Sequence, residues 1–189
     1  VKLDVVMDAQ IALSNADAPV TGRFIGLELA RAHAQRQGLN ALTLRSGRWP
    51  ERGRALEAVV SDRFAVARGL KPGDRVNAIL NGRLEQVHLV GTAISPEYVF
   101  ASRGGAPDDQ TFGIWWIDSE RMAHAFDLQG AFNQASLRLD ASASSPAVIE
   151  QADRLLDAYG TLGAVGRDKQ LSAKIVADEL SQLKVMGTV

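Results

Sequence analysis

No cysteine occurs among the 189 residues, which removes disulfides, thiolate nucleophiles and Cys-ligated zinc together. Its absence fits a bacterial extracytoplasmic domain and many cytosolic proteins equally. Histidine is scarce: His33, His88 and His124 fall in separate segments, without the HxH or HExxH spacing that a metal site or general base uses. No excess of positive charge exists. The 21 Lys and Arg stand against 22 Asp and Glu, for a net charge of −1, so the electrostatic footprint of a nucleic-acid binder is missing. No run approaches the roughly 20 apolar residues that span a bilayer, and no signal-peptide pattern is present. P-loop, GxSxG and strand-following GxGxxG motifs are lacking as well. Gly163-Ala164-Val165-Gly166 reads as a turn beside a short strand rather than as a phosphate loop. The expectations are therefore no catalytic residue, no cofactor, no metal and no nucleic-acid partner. The chain also starts at Val1 rather than at a methionine, and reads as a processed product or an excised piece.

What is present is a foldable composition. Hydrophobic residues make up 46% and charged residues 23%, as in ordinary globular proteins, and the length suits one domain or two small lobes. The strongest local signals lie in residues 57–91. Glu57-Ala58-Val59-Val60 reads as a short apolar strand. Ser61 then stands as a helix N-cap with Asp62 in the first turn, where negative charge suits the helix dipole. Phe64, Ala65 and Ala67 give the short helix its apolar surface, and Gly69 closes it in the left-handed conformation. Lys71-Pro72-Gly73-Asp74 is a turn. Two strand-like runs follow, joined at Asn81-Gly82, the preferred pair for a type I′ hairpin.

On either side the signals are weaker. Residues 1–13, 20–29 and 39–44 read as strands, the second weakened by Gly22 and Gly26. Residues 14–19, with Asn15, Asp17 and Pro19, form a loop, and residues 30–37 are too short to assign. Residues 92–109 form a long irregular loop or distorted hairpin that includes Arg103-Gly104-Gly105. Residues 112–117, FGIWWI, read as a buried strand, and 120–126 as a short helix. The alternation of residues 132–139 predicts a half-buried strand. Pro146 opens a helix whose stripe is Val148, Ala152, Leu155, Leu156 and Tyr159, ended by Gly160. A short strand over 162–165 and a helix over 172–186, with Ile175, Val176, Leu180 and Leu183 on one face, complete the chain. The sum is an α+β fold: a mixed sheet with helices on one face, from residues 1–56 and 111–189, plus an inserted β-rich lobe over 57–110.

Candidate functional residues are few. Asp108-Asp109 reads as a solvated turn. Trp115 and Trp116, adjacent on a strand, point to opposite faces, with core on both sides as the favoured account. Arg45, Arg48, Arg52 and Arg54 surround Trp49, and face lipid headgroups, an acidic partner or only solvent. Tyr98 and Phe100 share a face if their segment is extended, and either anchor a partner or pin the loop. The candidate partner contact is Asn81, Gly82, Tyr98 and Phe100.

An ordered series of motifs adds a family resemblance. LRSGRWP (44–50), EAVVSDRFA (57–65), LKPGD (70–74), the NGR hairpin (81–83) and VGTAISPEYVF (90–100) resemble the MacB-like periplasmic core domain of FtsX-like ABC transporter permeases. FGIWWID, AFNQASLRL and the closing DELSQL helix fit the same series. The resemblance covers most of the chain, although LKPGD alone occurs in many small barrels. It implies a non-catalytic extracytoplasmic domain of an inner-membrane permease, held between two flanking transmembrane helices. Its partners would be those helices, an ABC ATPase subunit that hydrolyses ATP across the membrane, and an external protein or lipid substrate. A dimer in the intact transporter is implied, and a monomer for the isolated domain. The inserted lobe would then be presented outward, away from the chain ends. Two other readings stand beside this one: a soluble small-barrel binding module, and an enzyme whose carboxylates are assembled by folding.

Overall fold

The computed structural model describes residues 1–14, 16–29, 38–53, 55–102 and 106–186. The unassigned stretch 30–37, His33, Asn15, Arg54 and the Arg103-Gly104-Gly105 turn lie outside the described residues. The chain is α+β and divides into two compact units, Val1–Leu137 and Arg138–Val189.

The first unit is built on a closed sheet. Its strands are β2 (Val6–Ala12), β3 (Val20–Leu27), β4 (Thr43–Gly47), β5 (Glu57–Ser61), β6 (Arg75–Leu80), β7 (Arg83–Ile94) and β8 (Phe112–Asp118). Strand order is β4-β7-β5-β8-β3-β2-β6, and β6 pairs again with β7. That second pairing closes β2, β3, β8, β5, β7 and β6 into a ring, with β4 attached outside it. Closure removes most of the open edges that a flat sheet would leave. The central pairs β3–β8 and β5–β7 are parallel, and the remaining ladders are antiparallel.

One strand makes closure possible. β7 pairs with β6 over Arg83–His88, then with β5 from His88 and with β4 from Gly91. A register shift opposite Ala58/Val59 bends it between these tasks, as bulges do. The expected inserted segment 57–110 therefore shares one sheet with strands from before and after it. β5 pairs with β8 on one side and β7 on the other, so the hydrogen-bonded sheet has no seam at residue 57 or residue 110.

The ring encloses the main core. Alternation in β6 sends Val76, Ala78 and Leu80 inward, where they meet Ile11, Phe24, Val60, Val87, Leu89 and Trp115. Phe64 comes from α1 (Asp62–Arg68), and Met122 from α2 (Ser119–Ala125). Trp115 stacks on Phe24 at 5.9 Å and meets Phe64 edge-on at 6.0 Å. These rings fit because Gly22 and Gly113, register partners on β3 and β8, carry no side chains. A Cβ at Gly22 would stand 2.3 Å from Ile11 Cδ1, and one at Gly113 would stand 2.7 Å from the Phe64 ring. Gly22 thus makes room inside β3 for a neighbouring large side chain.

A second core lies on the other face of β3, β8 and β5. Ile25, Val59, Ile114 and Trp116 are buried there beneath Ala101, with Leu44, Trp49 and Tyr98 packed around them. All seven residues of β8 are buried, and Trp115 and Trp116 fill the two cores as their opposite directions require.

Several local expectations shift. Residues 1–13 form two strands, β1 (Lys2–Asp4) and β2, because Asn133 grips the chain at Val6. Its side chain accepts from the Val6 N–H and donates to the Val6 carbonyl, both at 2.8 Å. β1 pairs with β9 (Gln134–Ser136) as a separate two-stranded sheet, so the strand expected over 132–139 shrinks to the three residues that find a partner. The strand expected over 39–44 lies at Thr43–Gly47, where β7 offers its edge. Ser61 precedes α1 without capping it, and its hydroxyl accepts instead from the Ile114 N–H at 3.2 Å. Gly69 closes α1 in the left-handed conformation, φ 65°.

The second unit holds α3 (Ser145–Leu156), two single 3₁₀ turns and α4 (Leu171–Met186). Pro146 lies at the first turn of α3. No strand forms over 162–165, where Ala164 N–H donates to Asp153 Oδ1 at 2.5 Å. Among the described residues of this unit, none is buried.

Candidate functional site

Asn81 and Gly82 form the two-residue loop between β6 and β7, with Leu80 opposite Arg83. Their φ values of 49° and 76° are those of a type I′ turn, which matches the strand twist. Both residues are exposed. Asn81 Nδ2 donates to Asp127 Oδ2 at 3.0 Å, tying the hairpin tip to the turn after α2. Just behind the tip, Ile79 and Leu84 face each other across the strands, 45% and 71% exposed. This apolar pair was not singled out in the sequence. Its signal was available: with Val76, Ala78 and Leu80 turned inward, Ile79 must face out.

Tyr98 and Phe100 lie elsewhere. They follow the C-terminal end of β7, whereas the hairpin precedes its N-terminal end, and the twelve residues of β7 separate the two pairs. Tyr98 is half-buried against the second core. Burial, and next the charge of Glu97, push its hydroxyl pKa above the ordinary range. Phe100 lies under the Arg63 guanidinium, 5.1 Å from its ring centroid. The loop also sits beside β1. Gln134, the register partner of Asp4, donates to Glu97 Oε1, and Asn40 donates to Oε2, both at 2.7 Å. The Tyr98 loop thus lies beside the N-terminal strand rather than away from it. The aromatic pair pins a loop, and the structure does not join it to the hairpin.

Two of the arginines around Trp49, Arg48 and Arg52, pair with acids of the fold. Arg48 grips the buried Glu57 with both nitrogens, at 2.7 and 2.6 Å, and Glu51 N–H adds a bond at 2.9 Å. Arg52 reaches Glu120 at 3.1 Å. Asp108 serves its own turn, accepting from Gln110 and Thr111, and Asp109 pairs with Arg63 at 3.1 Å. His88 and His124 contact Gln86 and Gln129.

Three acidic residues share the lining of one recess. A recess of about 270 Å³ beside β1 is lined by Leu3, Asp4, Glu28, Glu120, Leu128 and Phe132 among others. Lys2 stands 2.9 Å from Asp4, and Arg52 holds Glu120. Burial raises the Asp4 pKa, opposed by Lys2 and aided by the charge of Glu28. Burial likewise raises Glu97. No group of three or more His, Cys, Asp or Glu able to hold a metal occurs among the described residues. None of the described helices is long and apolar enough to cross a membrane.

No family model matches the chain, and no curated protein matches it significantly. Among solved structures it is similar to the extracellular domain of the noncanonic ABC-type transporter YknZ from Gram-positive bacteria, at 14% identity and a TM-score of 0.47. That likeness covers 86% of this chain and 76% of the other. At this score it carries no argument about function.

Proposed function

We propose that the chain is a non-catalytic extracytoplasmic domain of an ABC transporter permease, coupling ATP-driven motion in the membrane to an external protein or lipid. One observation supports this reading above others. Three of the separate pieces that resemble such permeases meet in one sheet: LRSGRWP, EAVVSDRFA and VGTAISPEYVF are β4, β5 and β7 with their flanks, and β7 pairs with both neighbours. The Arg48–Glu57 clamp then ties the first two pieces together. A series of motifs that meets in space is a coherent module rather than a chance collection of turns. The Asn81-Gly82 hairpin, with Ile79 and Leu84 exposed, is the proposed contact element.

Because these 189 residues hold no cysteine, Leu84→Cys in the parent protein, with any cysteine elsewhere in the parent replaced, gives a unique label. Modification by a membrane-impermeant thiol reagent in intact cells is the expected result. Labelling only after permeabilisation, or a parent reading frame without hydrophobic spans on either side, would overturn the proposal. The closed ring of six strands favours a second reading, a soluble small-barrel binding module. That reading expects no membrane association of the parent.

A further inference from the structure

Of the five asparagines, Asn15, Asn40, Asn77, Asn81 and Asn133, only Asn81 precedes a glycine. It is exposed, in the left-handed region, and no atom lies within 4 Å of where a Cβ of Gly82 would be. The turn is therefore open to solvent on the side of the Gly82 Cα where a side chain would stand. Two restraints act on the Asn81 side chain: the type I′ turn, and the 3.0 Å bond to Asp127 Oδ2. Asp127 is itself held at a positive φ of 55°, so both partners sit in a conformation that side chains disfavour.

We propose that Asn81 is a site of spontaneous deamidation, restrained by its hydrogen bond to Asp127, and that the reaction unlocks the β6–β7 hairpin. The Gly82 nitrogen attacks Asn81 Cγ. The new N–Cγ bond forms as Cγ–Nδ2 breaks, and the amide nitrogen leaves as ammonia, carrying the proton that Gly82 gives up. Water then opens the cyclic imide at one of its two carbonyls, leaving an aspartyl or an isoaspartyl residue. The net change is amide plus water to carboxylic acid plus ammonia, with no oxidation or reduction.

The consequence follows from the geometry. A donor facing Asp127 becomes a carboxylate facing a carboxylate, so an attractive contact becomes a repulsive one. In the isoaspartyl product the backbone also gains a carbon, which a two-residue loop with Leu80 opposite Arg83 accommodates only by changing register. The Ile79–Leu84 pair behind the tip shifts with it.

Peptide mapping by mass spectrometry of the folded chain, held in mildly alkaline buffer, tests the site. Residue 81 is expected to convert ahead of the other four asparagines, several-fold faster in Asp127→Ala and not measurably in Gly82→Ala. Near-ultraviolet dichroism shows whether the variants remain folded, and Asp127→Asn replaces Asp127→Ala where it does not. Conversion of another asparagine first, or a wild-type rate in the folded Asp127 variant, overturns the restraint. Asn81→Asp, made directly, is expected to lower the melting temperature, and adding Asp127→Asn to restore most of that loss. An unchanged melting temperature in Asn81→Asp, or no recovery in the double variant, overturns the unlocking of the hairpin.

Discussion

Trp115 and Leu155 are both large apolar residues in regular elements, and they fare oppositely. Trp115 is fully buried in the closed ring, whereas Leu155, on α3, is 76% exposed. The contrast extends to their units. Every buried residue among those described lies at or before Phe126, and Tyr159, Leu162, Val165, Leu180 and Leu183 of the second unit are all more than half exposed. Amphipathic pattern identifies which residues can be buried. Burial itself needs a facing surface, and the ring supplies its own because each strand finds a neighbour on both sides. Two short helices and the turns between them do not enclose a volume in that way.

The largest effect should come from removing the ring's central side chain. Trp115→Ala is expected to destabilise the first unit by about 3–5 kcal/mol, the range for deleting a buried large aromatic. A shift of the urea midpoint at constant slope would show it. Trp115→Phe should cost much less, because it keeps contact with Phe24 and Phe64 and removes an indole N–H that has no hydrogen-bond partner among the described residues. Equal losses from both substitutions would mean that the ring does not depend on packing around this residue.

The clamp across β4 and β5 comes next. Arg48→Ala leaves Glu57, 8% exposed, without its bidentate partner. The expected cost is about 2 kcal/mol, reduced from that of a fully buried pair because the arginine is itself partly exposed. Adding Glu57→Gln should recover part of it, since the buried charge that lost its guanidinium disappears. A double-mutant cycle with no coupling would show that the two pieces are held by the β7 ladder alone.

These two sites also mark what could be read from the sequence. The opposite directions of Trp115 and Trp116 follow from strand geometry, as the Asn81-Gly82 turn follows from the φ its residues tolerate. Both are local properties. Ring closure is not, because the β6–β7–β5–β4 arrangement depends on which distant strands meet, and nothing in the run 83–94 announces three partners. The Arg48–Glu57 clamp escaped notice for the same reason, since arginines in a turn-rich loop look solvated until the fold brings an acid to them. Alternation over 132–139 overreached, because a strand pattern is realised only where a neighbour pairs. Of the candidate contact, the hairpin half could be placed from sequence. The Tyr98 half could not, since its burial depends on the second core, which strands distant in sequence build together.

Acid titration separates β1 from the Asp108 turn. The Asp4 carboxyl is raised above its ordinary value of 3.8 by burial. Its contribution is therefore complete below the unfolded pKa and is lost as pH rises through the folded one. Glu97 is shifted the same way. Asp108 is lowered, first by the Thr111 hydroxyl, so its contribution is present at neutral pH and lost on acidification. Asp4→Asn should flatten the pH dependence of stability just above the ordinary carboxylate range and leave the Asp108 limb in place. Identical pH profiles for the variant and the wild-type chain would remove Asp4 as the cause.

The smallest effect expected is the most telling about the second unit. Leu155→Ser changes a large apolar residue to a polar one, yet its surroundings barely contact it. The expected change in stability is within about 0.5 kcal/mol, as for exposed positions generally. The same substitution at Leu89, 1% exposed inside the ring, should cost several times more, because it leaves a cavity and buries a hydroxyl. A loss above about 1 kcal/mol at Leu155 would exceed what an exposed position can give. It would mean that this face of α3 is covered in solution, and the measured cost would then report the cover rather than the helix.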